Sequence, residues 1–484
     1  MRNVLVIGAG PAGLAAARAA RDAGSAVTIL DSSDALGGQF WRHLPPERPA
    51  RNEKILHHGW DKFRGLSESL ESDSHVNIVR GAQVWAIEVF DGVAVHALIG
   101  ESDGMKRSRQ VFRPDALVLA TGAHDRTLPF PGWDLPGVFT GGAAQALAKG
   151  ERLAVGERVI VAGAGPFLLP VAQSLTLAGS RVLAVLEANR VPRLLKGWTP
   201  KPWQLLGAAS KGAELAGYVA GHLRHRIPYR LGRAVIAAHG IDRVESVTTA
   251  KLDALWTPIP GTEKTVEVDA VCVSHGFSPR LELAIAAGCA LTENRFVEVD
   301  DRQLTSVDGV YAAGEITGIG GVDLSLAEGE IAGHYAAATE SPSTVSPPTA
   351  AMRRRRVFTG FAGRIEAAHG IRSGWPEWLT DATVICRCEE VDFGSMRAAA
   401  AATESESFRS LKLATRAGLG VCQGRMCGRT AEQLLCSLNG AGSHGANGNS
   451  GGALSDHRPI ASPLRIGELA EPTSQKNQRK EHHD

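Results

Sequence analysis

An all-apolar run, Val4-Leu5-Val6-Ile7, passes without a spacer into Gly8-Ala9-Gly10-Pro11-Ala12-Gly13, and this junction limits the possible folds severely. Four consecutive apolar residues suit a parallel strand buried on both faces. An Ala-rich helix is expected from about Leu14 to Ala23, closed by Gly24. Ala26 to Leu30 reads as a second buried strand, with Asp31 at its carboxyl end. Gly8 permits the tight turn, Gly10 lets backbone N–H groups approach a pyrophosphate, and Gly13 allows close helix–strand packing. The helix N-terminus then faces the phosphates, and Asp31 can accept hydrogen bonds from a ribose. The plain alternative is a glycine-rich turn without a ligand. Against it, strand, loop, helix, strand and acid all stand in the order that a dinucleotide site requires.

A chain of 484 residues is long enough for two or three domains. Its 44% hydrophobic and 21% charged residues are those of a soluble globular protein with ample core. The net charge of +1 gives no reason to expect nucleic acid or a membrane surface as the main partner. No apolar run reaches the ~18 residues of a bilayer span, and the first strand starts too soon after Met1 to leave room for a signal peptide. Seven cysteines are an odd number, and four crowd into one late segment. That pattern argues against a disulfide framework and for a reducing, cytoplasmic compartment.

Downstream, Gly37-Gly38-Gln39 forms a turn near the expected adenosine site, and 76–112 reads as a small β meander inserted into the first domain. Ala116 to Ala120 is another buried strand, ending in Thr121-Gly122. A second copy of the opening pattern follows: Val159 to Ala162, Gly163-Ala164-Gly165-Pro166-Phe167-Leu168, a helix, then Val182 to Leu186 and Glu187. Leu168 takes the third glycine position and should hold the helix farther from the strand. Glu187 could bind a ribose and Arg190 a 2′-phosphate. NAD(H) or an adenine nucleotide is one reading of this copy, and a retained fold with an empty pocket is the other. Residues 190–232, with Trp198, Trp203, Tyr218, Tyr229 and several cations, suit a subunit interface or a core equally well. Cys272, Cys289 and Cys436 read as structural.

The chain returns to the first domain at Val310-Tyr311-Ala312-Ala313-Gly314-Glu315. Together with Thr121-Gly122 and the opening fingerprint, this resembles the large flavoprotein family with two dinucleotide-binding domains. The resemblance implies FAD in the first domain, held by Gly8, Gly10, Pro11, Ala12, Gly13, Asp31, Gly38, Gln39, Thr121, Gly122, Gly314 and Glu315. In that family the last motif usually carries Asp, so Glu315 is expected to shift the ribityl contact. The expected fold is α/β: two Rossmann-like domains, the second inserted in the first, then a small α+β module. The expected boundaries are 1–125 and 271–340 for the FAD domain, 126–270 for the NAD-like domain, 341–378 for a linker and 379–438 for the module. A disordered tail, 439–484, follows. The run Arg353 to Arg356 reads as a solvated or partner-facing helix start.

The sharpest chemistry is late. Cys386-Arg387-Cys388 follows a short apolar strand, and Cys422-Gln423-Gly424-Arg425-Met426-Cys427 comes later among Gly418, Gly420 and Gly428. Four thiolates suffice for a [2Fe–2S] cluster or for tetrahedral zinc, and zinc more often uses Cys-x₂₋₄-Cys in both pairs. Glycine-rich backbone can turn its N–H groups toward sulfur. Arg387, Arg416 and Arg425 would offset cluster charge. The arrangement resembles the bacterioferritin-associated-ferredoxin type of [2Fe–2S] domain in its flavoprotein-fused form, with Cys386, Cys388, Cys422 and Cys427 as ligands.

From Val4 to about Leu435 the chain is similar to the A-subunit of opine oxidases, the B-subunit of hydrogen cyanide synthase and the alpha subunit of D-hydroxyproline dehydrogenase. Heterotetrameric sarcosine oxidase alpha is a more distant likeness. The resemblance implies an FAD/[2Fe–2S] electron-transfer subunit of a multi-subunit amine dehydrogenase. Its partners would be a D-amino-acid-oxidase-like FAD subunit, a small ferredoxin-like subunit, and a downstream acceptor. The complex is expected in the cytoplasm, with peripheral membrane association through the assembly. No Cys-x-x-Cys pair lies in the nucleotide domains, so disulfide reductase chemistry lacks its redox pair. Two rivals stay open: a self-contained NAD(P)H-dependent FAD/[2Fe–2S] reductase, and a scaffold or redox sensor. No catalytic residue is assigned.

Overall fold

The computed structural model describes residues 1–470 except 46, 51, 103, 105, 339–344, 439–454 and 459. The first Rossmann-like sheet has five parallel strands in the order Val310–Ala312, Ala116–Leu119, Asn3–Ile7, Ala26–Leu30 and Val76–Val79. The expected fingerprint strand is its centre, with Ile7 beside Leu30 on one side and Leu119 on the other. That position buries Val4 and Val6 completely, which explains the unbroken apolar run. Helix Pro11–Asp22 covers one face and packs against helix Gly321–Ala336. The approach is close enough that a Cβ on Gly329 would meet the Ala12 carbonyl oxygen at 2.1 Å, and one on Gly333 would meet that of Ala16 at 2.0 Å. Small residues on both helices therefore set the spacing.

The inserted meander is an antiparallel sheet of Ala82–Glu88, Ala94–Ile99 and Ser108–Phe112. The second five-stranded parallel sheet has the order Tyr229–Leu231, Arg181–Glu187, Arg158–Gly163, Ala270–Ser274 and Val138–Thr140. Ala270–Ser274 thus belongs inside the second domain, not to the return segment expected to start at 271. Its neighbours on both sides bury it completely or nearly so. The crossing itself is a two-stranded pairing of Ala123–Asp125 with Phe277–Pro279. Leu168, expected to hold the second nucleotide helix farther from its strand, is instead the first residue of that helix. It runs Leu168–Leu177 after the turn at Pro166 and Phe167, and Leu168 is sunk in the core.

Three further differences concern the later chain. The expected linker 341–378 contains a 21-residue helix, Thr349–His369, packed on helices Val191–Trp198 and Gly321–Ala336. Its arginine run, expected to be a solvated or partner-facing helix start, is divided: Arg353 and Arg356 are exposed, whereas Arg354 pairs with Glu330 and Arg355 lies 3.3 Å from Asp301. The expected module 379–438 shares one core with the second domain, in which Leu128, Trp256 and Trp378 meet Cys386, Leu411 and Cys427. Most of the expected disordered tail lies outside the described residues. Within its described part, helix Ile466–Ala470 is anchored by Glu468 on the buried Arg107 guanidinium at 2.7 Å.

Candidate functional site

One cavity of about 2220 Å³ runs from the first glycine loop across the crossing strands to the second domain. At its first end, two glycines show different constraints. A Cβ on Gly13 would meet the Gly8 carbonyl oxygen at 1.7 Å, so helix and strand could not approach as they do. At Gly10 the backbone is extended, with φ −76, and the nearest protein atom to a Cβ is 4.0 Å away. Nothing in the protein demands glycine there, and the open space is what a pyrophosphate over the helix N-terminus requires.

Asp31 accepts hydrogen bonds from Ala9 N at 2.5 Å and Ser33 N at 2.7 Å. Its carboxylate thereby fixes the glycine loop, and each oxygen retains a second lone pair for a ribose. Thr121 Oγ1 donates to the Arg280 carbonyl at 2.9 Å, which ties the Thr121-Gly122 turn to the return crossing. Gln39, Gly38, Pro11 and Ala12 line the same cavity. Lys149 reaches it too, donating to the Phe40 carbonyl at 3.2 Å, and burial lowers its ammonium to about 8.

Glu315 accepts from Gly321 N at 2.8 Å, at the start of helix Gly321–Ala336. Desolvation and the nearby Glu328 push its carboxyl group up to about 7. Glu328 was not evident as a site residue from sequence. It is buried, and accepts from Gly314 N at 2.9 Å and Thr317 Oγ1 at 2.6 Å. An acid inside the small, apolar run Leu326-Ala327-Glu328-Gly329 was the available signal. The space, the phosphate-facing helix start and the acid at the strand end together fit FAD.

The second copy differs. Glu187 is fully buried. It accepts from Gly165 N at 2.8 Å, from Asn189 N at 3.0 Å and from Asn189 Nδ2 at 2.9 Å. His369, at the end of the Thr349–His369 helix, places Nδ1 3.1 Å from the same carboxylate. A Cβ on Gly165 would lie 3.9 Å from the His369 Cβ. The acid expected to bind a ribose is thus surrounded by the chain's own donors, and the helix that the linker composition concealed sits over the Gly163–Gly165 loop. Despite its burial, the hydrogen bond and charge of His369 hold Glu187 below the usual carboxylate range.

The four cysteines stand as two pairs. The Cys386 thiol, buried at the end of strand Val384–Cys386, takes a hydrogen bond from Cys427, and this lowers it to about 5 against the effect of burial. Gly418 N donates to Cys386 Sγ at 3.4 Å, and the Glu389 and Cys388 N–H groups also favour the thiolate. The hydrogen bond to Cys386 and burial push the Cys427 thiol up, and burial together with the contact to Cys422 raises the thiol of the exposed Cys388. The pairs are near enough to act on one another, since Cys386, Cys388 and Cys422 all bear on the Cys427 thiol, and four thiolates are what a [2Fe–2S] cluster requires. Left-handed backbone at Glu390 (φ 51), Arg416 (φ 66) and Gln423 (φ 51) turns the loops around the thiols, at a local cost of order 1–3 kcal/mol each.

The arginines expected to offset cluster charge also make contacts within the chain, and Arg425 donates to the Cys422 carbonyl at 3.4 Å. Arg387 lies over the Trp133 ring and donates to the Asp134 carbonyl at 3.1 Å. Arg416 pairs with Glu389 and Arg425 with Glu282, each at 2.8 Å. Lys412 and Arg458 are the cations that interact with Cys427 and Cys422.

The two redox sites are joined by hydrogen bonds. His124, three residues after Thr121, places Nε2 2.9 Å from the Arg425 carbonyl oxygen inside the Cys422–Cys427 loop. A carbonyl only accepts, so this nitrogen carries the proton. Burial and Arg280 lower the ring's pKa, which favours the neutral form. Thr127 Oγ1 reaches the Met426 carbonyl at 3.3 Å, and Thr430 Oγ1 donates to the Thr127 carbonyl at 2.8 Å. Trp133 Nε1 donates to the Val384 carbonyl at 2.6 Å.

Comparison with known proteins agrees with this arrangement. The pyridine nucleotide-disulphide oxidoreductase family matches residues 2–340, and the BFD-like [2Fe-2S] binding domain matches 384–437. The A-subunit of opine oxidase from Rhizobium meliloti is 30% identical over 90% of this chain and 81% of its own. Hydrogen cyanide synthase subunit HcnB of Pseudomonas protegens is 29% identical over 88% of this chain and 90% of its own. L-proline dehydrogenase from P. horikoshii shares the fold, with a TM-score of 0.67 and 18% identity over 97% of this chain and 79% of that one. FAD and a [2Fe–2S] cluster are accordingly the cofactors of this oxidoreductase. The chain belongs to the pyridine nucleotide-disulphide oxidoreductase family, in the group that adds a BFD-like [2Fe–2S] domain and includes the A-subunit of opine oxidase.

Proposed function

We propose that this chain is the electron-transfer subunit of a multi-subunit amine dehydrogenase acting on the C–N bond of an amino acid or N-substituted amino acid. The observation that carries the reading is the contact of His124 with Arg425, which couples the flavin turn to the cluster loop within one polypeptide. The names of the relatives, each a subunit of an opine oxidase or of a hydrogen cyanide synthase, support the multi-subunit amine chemistry. A flavin exchanges electrons in pairs and a [2Fe–2S] cluster singly, so the two together convert one mode to the other.

The chain's own residues hold and insulate this pair. The Gly8–Gly13 loop, Asp31 and Gly38 orient the dinucleotide, and Glu315 with Glu328 closes the ribityl side. Cys386, Cys388, Cys422 and Cys427 hold the cluster, with Gly418 N–H directed at sulfur. A partner resembling D-amino-acid oxidase would bind the amine, and a ferredoxin-like subunit or other acceptor would take the electrons. We read the complex as cytoplasmic and peripherally membrane-associated. Against a self-contained NAD(P)H reductase stands Glu187, already engaged by Asn189 and His369.

The test is reconstitution with a D-amino-acid-oxidase-like chain. Amine-dependent dye reduction should require both chains and should be lost when FAD is withheld from this one. Full activity without that FAD would refute the relay.

A further inference from the structure

A net charge of +1 conceals a strongly uneven distribution. Between positions 190 and 233 there are nine Lys or Arg and one acid, Glu214, so the remainder of the chain is net acidic. Six of the nine, Arg190, Lys196, Lys201, Arg224, Arg226 and Arg230, are exposed. Among the described residues only Lys211 of the nine is ion-paired, to Glu214 and Asp323.

The same segment exposes large apolar side chains. Trp203 and Leu206, on the short Pro202–Ala208 turn of helix, are 65% and 79% exposed. Leu215, Val219 and Leu223 fall four residues apart on helix Ala209–Arg224, which puts them on one stripe, and Leu223 is 74% exposed. This stripe and Leu177 stand at the far end of the cavity that begins at the first glycine loop. Tyr218 and His222, on the adjoining face of the helix, are buried.

Cations and apolar groups are interleaved here, as in Arg190-Val191, Leu195-Lys196 and Leu223-Arg224. The centre of a protein interface is depleted of charge, Arg apart, whereas here Lys196 and Lys201 also stand beside the apolar groups. A bilayer surface accepts interleaving, because headgroup phosphates meet the cations while Trp and Leu enter the acyl boundary beneath. No helix among the described residues is long and apolar enough to cross a membrane, so contact would be with the surface only.

We propose that helices Val191–Trp198 and Ala209–Arg224, with the turn between them, dock directly on a bilayer containing anionic lipid. This rests on the reading of peripheral association and deepens it, because the contact belongs to this chain and not only to its assembly.

The experiment is co-sedimentation of the FAD- and cluster-loaded chain with phosphatidylcholine vesicles and with vesicles containing phosphatidylglycerol, at low and high salt. Binding should need the anionic lipid and fall steeply with salt. Each surface cation contributes roughly fivefold in affinity, so Arg224→Gln/Arg226→Gln/Arg230→Gln should lose on the order of a hundredfold. Trp203→Ser/Leu206→Ser should release the chain even at low salt. Flavin and iron–sulfur absorbance, unchanged in both variants, reports the fold. No binding to anionic vesicles by the parent chain, or binding by both variants as tight as the parent's, overturns the proposal. Loss of the partner subunit without loss of vesicle binding assigns the face to a protein and overturns it too. If the assembled complex binds vesicles while this chain does not, peripheral association survives and the docking face fails.

Discussion

The imidazole of His124 and the carbonyl of Arg425 are 2.9 Å apart, although 301 residues separate them in sequence. The bond spans the gap between the turn after Thr121-Gly122 and the loop that carries Cys422 and Cys427. A single hydrogen bond contributes about 1 kcal/mol, so His124→Phe should leave FAD and cluster contents intact. It should slow flavin-to-cluster transfer on the order of tenfold, read as cluster reduction after a light pulse that reduces the flavin. An unchanged rate would show that the contact does not govern transfer.

Arg295 fastens the iron–sulfur module to the first domain. It pairs with Glu432 on helix Gly428–Leu438, and with Asp456 at 2.6 Å. All three side chains are buried. Removing one member of such a group leaves uncompensated charge and costs about 3–5 kcal/mol. Arg295→Ala should therefore lower the thermal midpoint strongly, with loss of iron–sulfur absorbance preceding loss of bound flavin.

Burial, with Glu328 nearby, raises Glu315 from 4.5 to about 7. Below pH 4.5 the group is protonated whether folded or unfolded and has no effect. Between 4.5 and about 7 the unfolded chain gives up a proton that the folded one keeps, so this group makes stability fall as pH rises. Above about 7 the loss is complete. Glu315→Gln should flatten that part of the profile in thermal melts from pH 4.5 to 8, and parallel profiles for variant and parent would contradict the assignment.

His369 and Asn189 hold the Glu187 carboxylate. NADH and NADPH should therefore fail to bleach the flavin, and a fluorescence titration should show no saturable binding at micromolar concentrations. Stoichiometric bleaching by either would restore the self-contained reductase.

What the sequence disclosed was local. Strand, glycine loop and Asp31 lie within one short segment, and so do the two halves of the cysteine quartet, so each motif carried its own structural context. The arginine run marked the start of the Thr349–His369 helix, but the Pro- and Ser-rich approach hid its length and its packing. Its partners Glu330 and Asp301 are remote in sequence. Ala270–Ser274 reads as a buried strand in either domain, and only pairing with Val159 to Gly163 decides which. His124, Glu328 and His369 acquire their roles through tertiary contacts that no periodicity encodes.

A flavin-to-cluster relay serving amine oxidation meets its hardest test in anaerobic addition of an amine substrate to the reconstituted complex. Flavin absorbance and the low-temperature paramagnetic signal of the reduced cluster would be followed together. With a relay, the parent chain bleaches its flavin and develops the cluster signal. Cys422→Ser should bleach its flavin, show no cluster signal and reduce the downstream acceptor far more slowly. Undiminished acceptor reduction by Cys422→Ser, in a chain shown to lack the cluster, would rule the relay out.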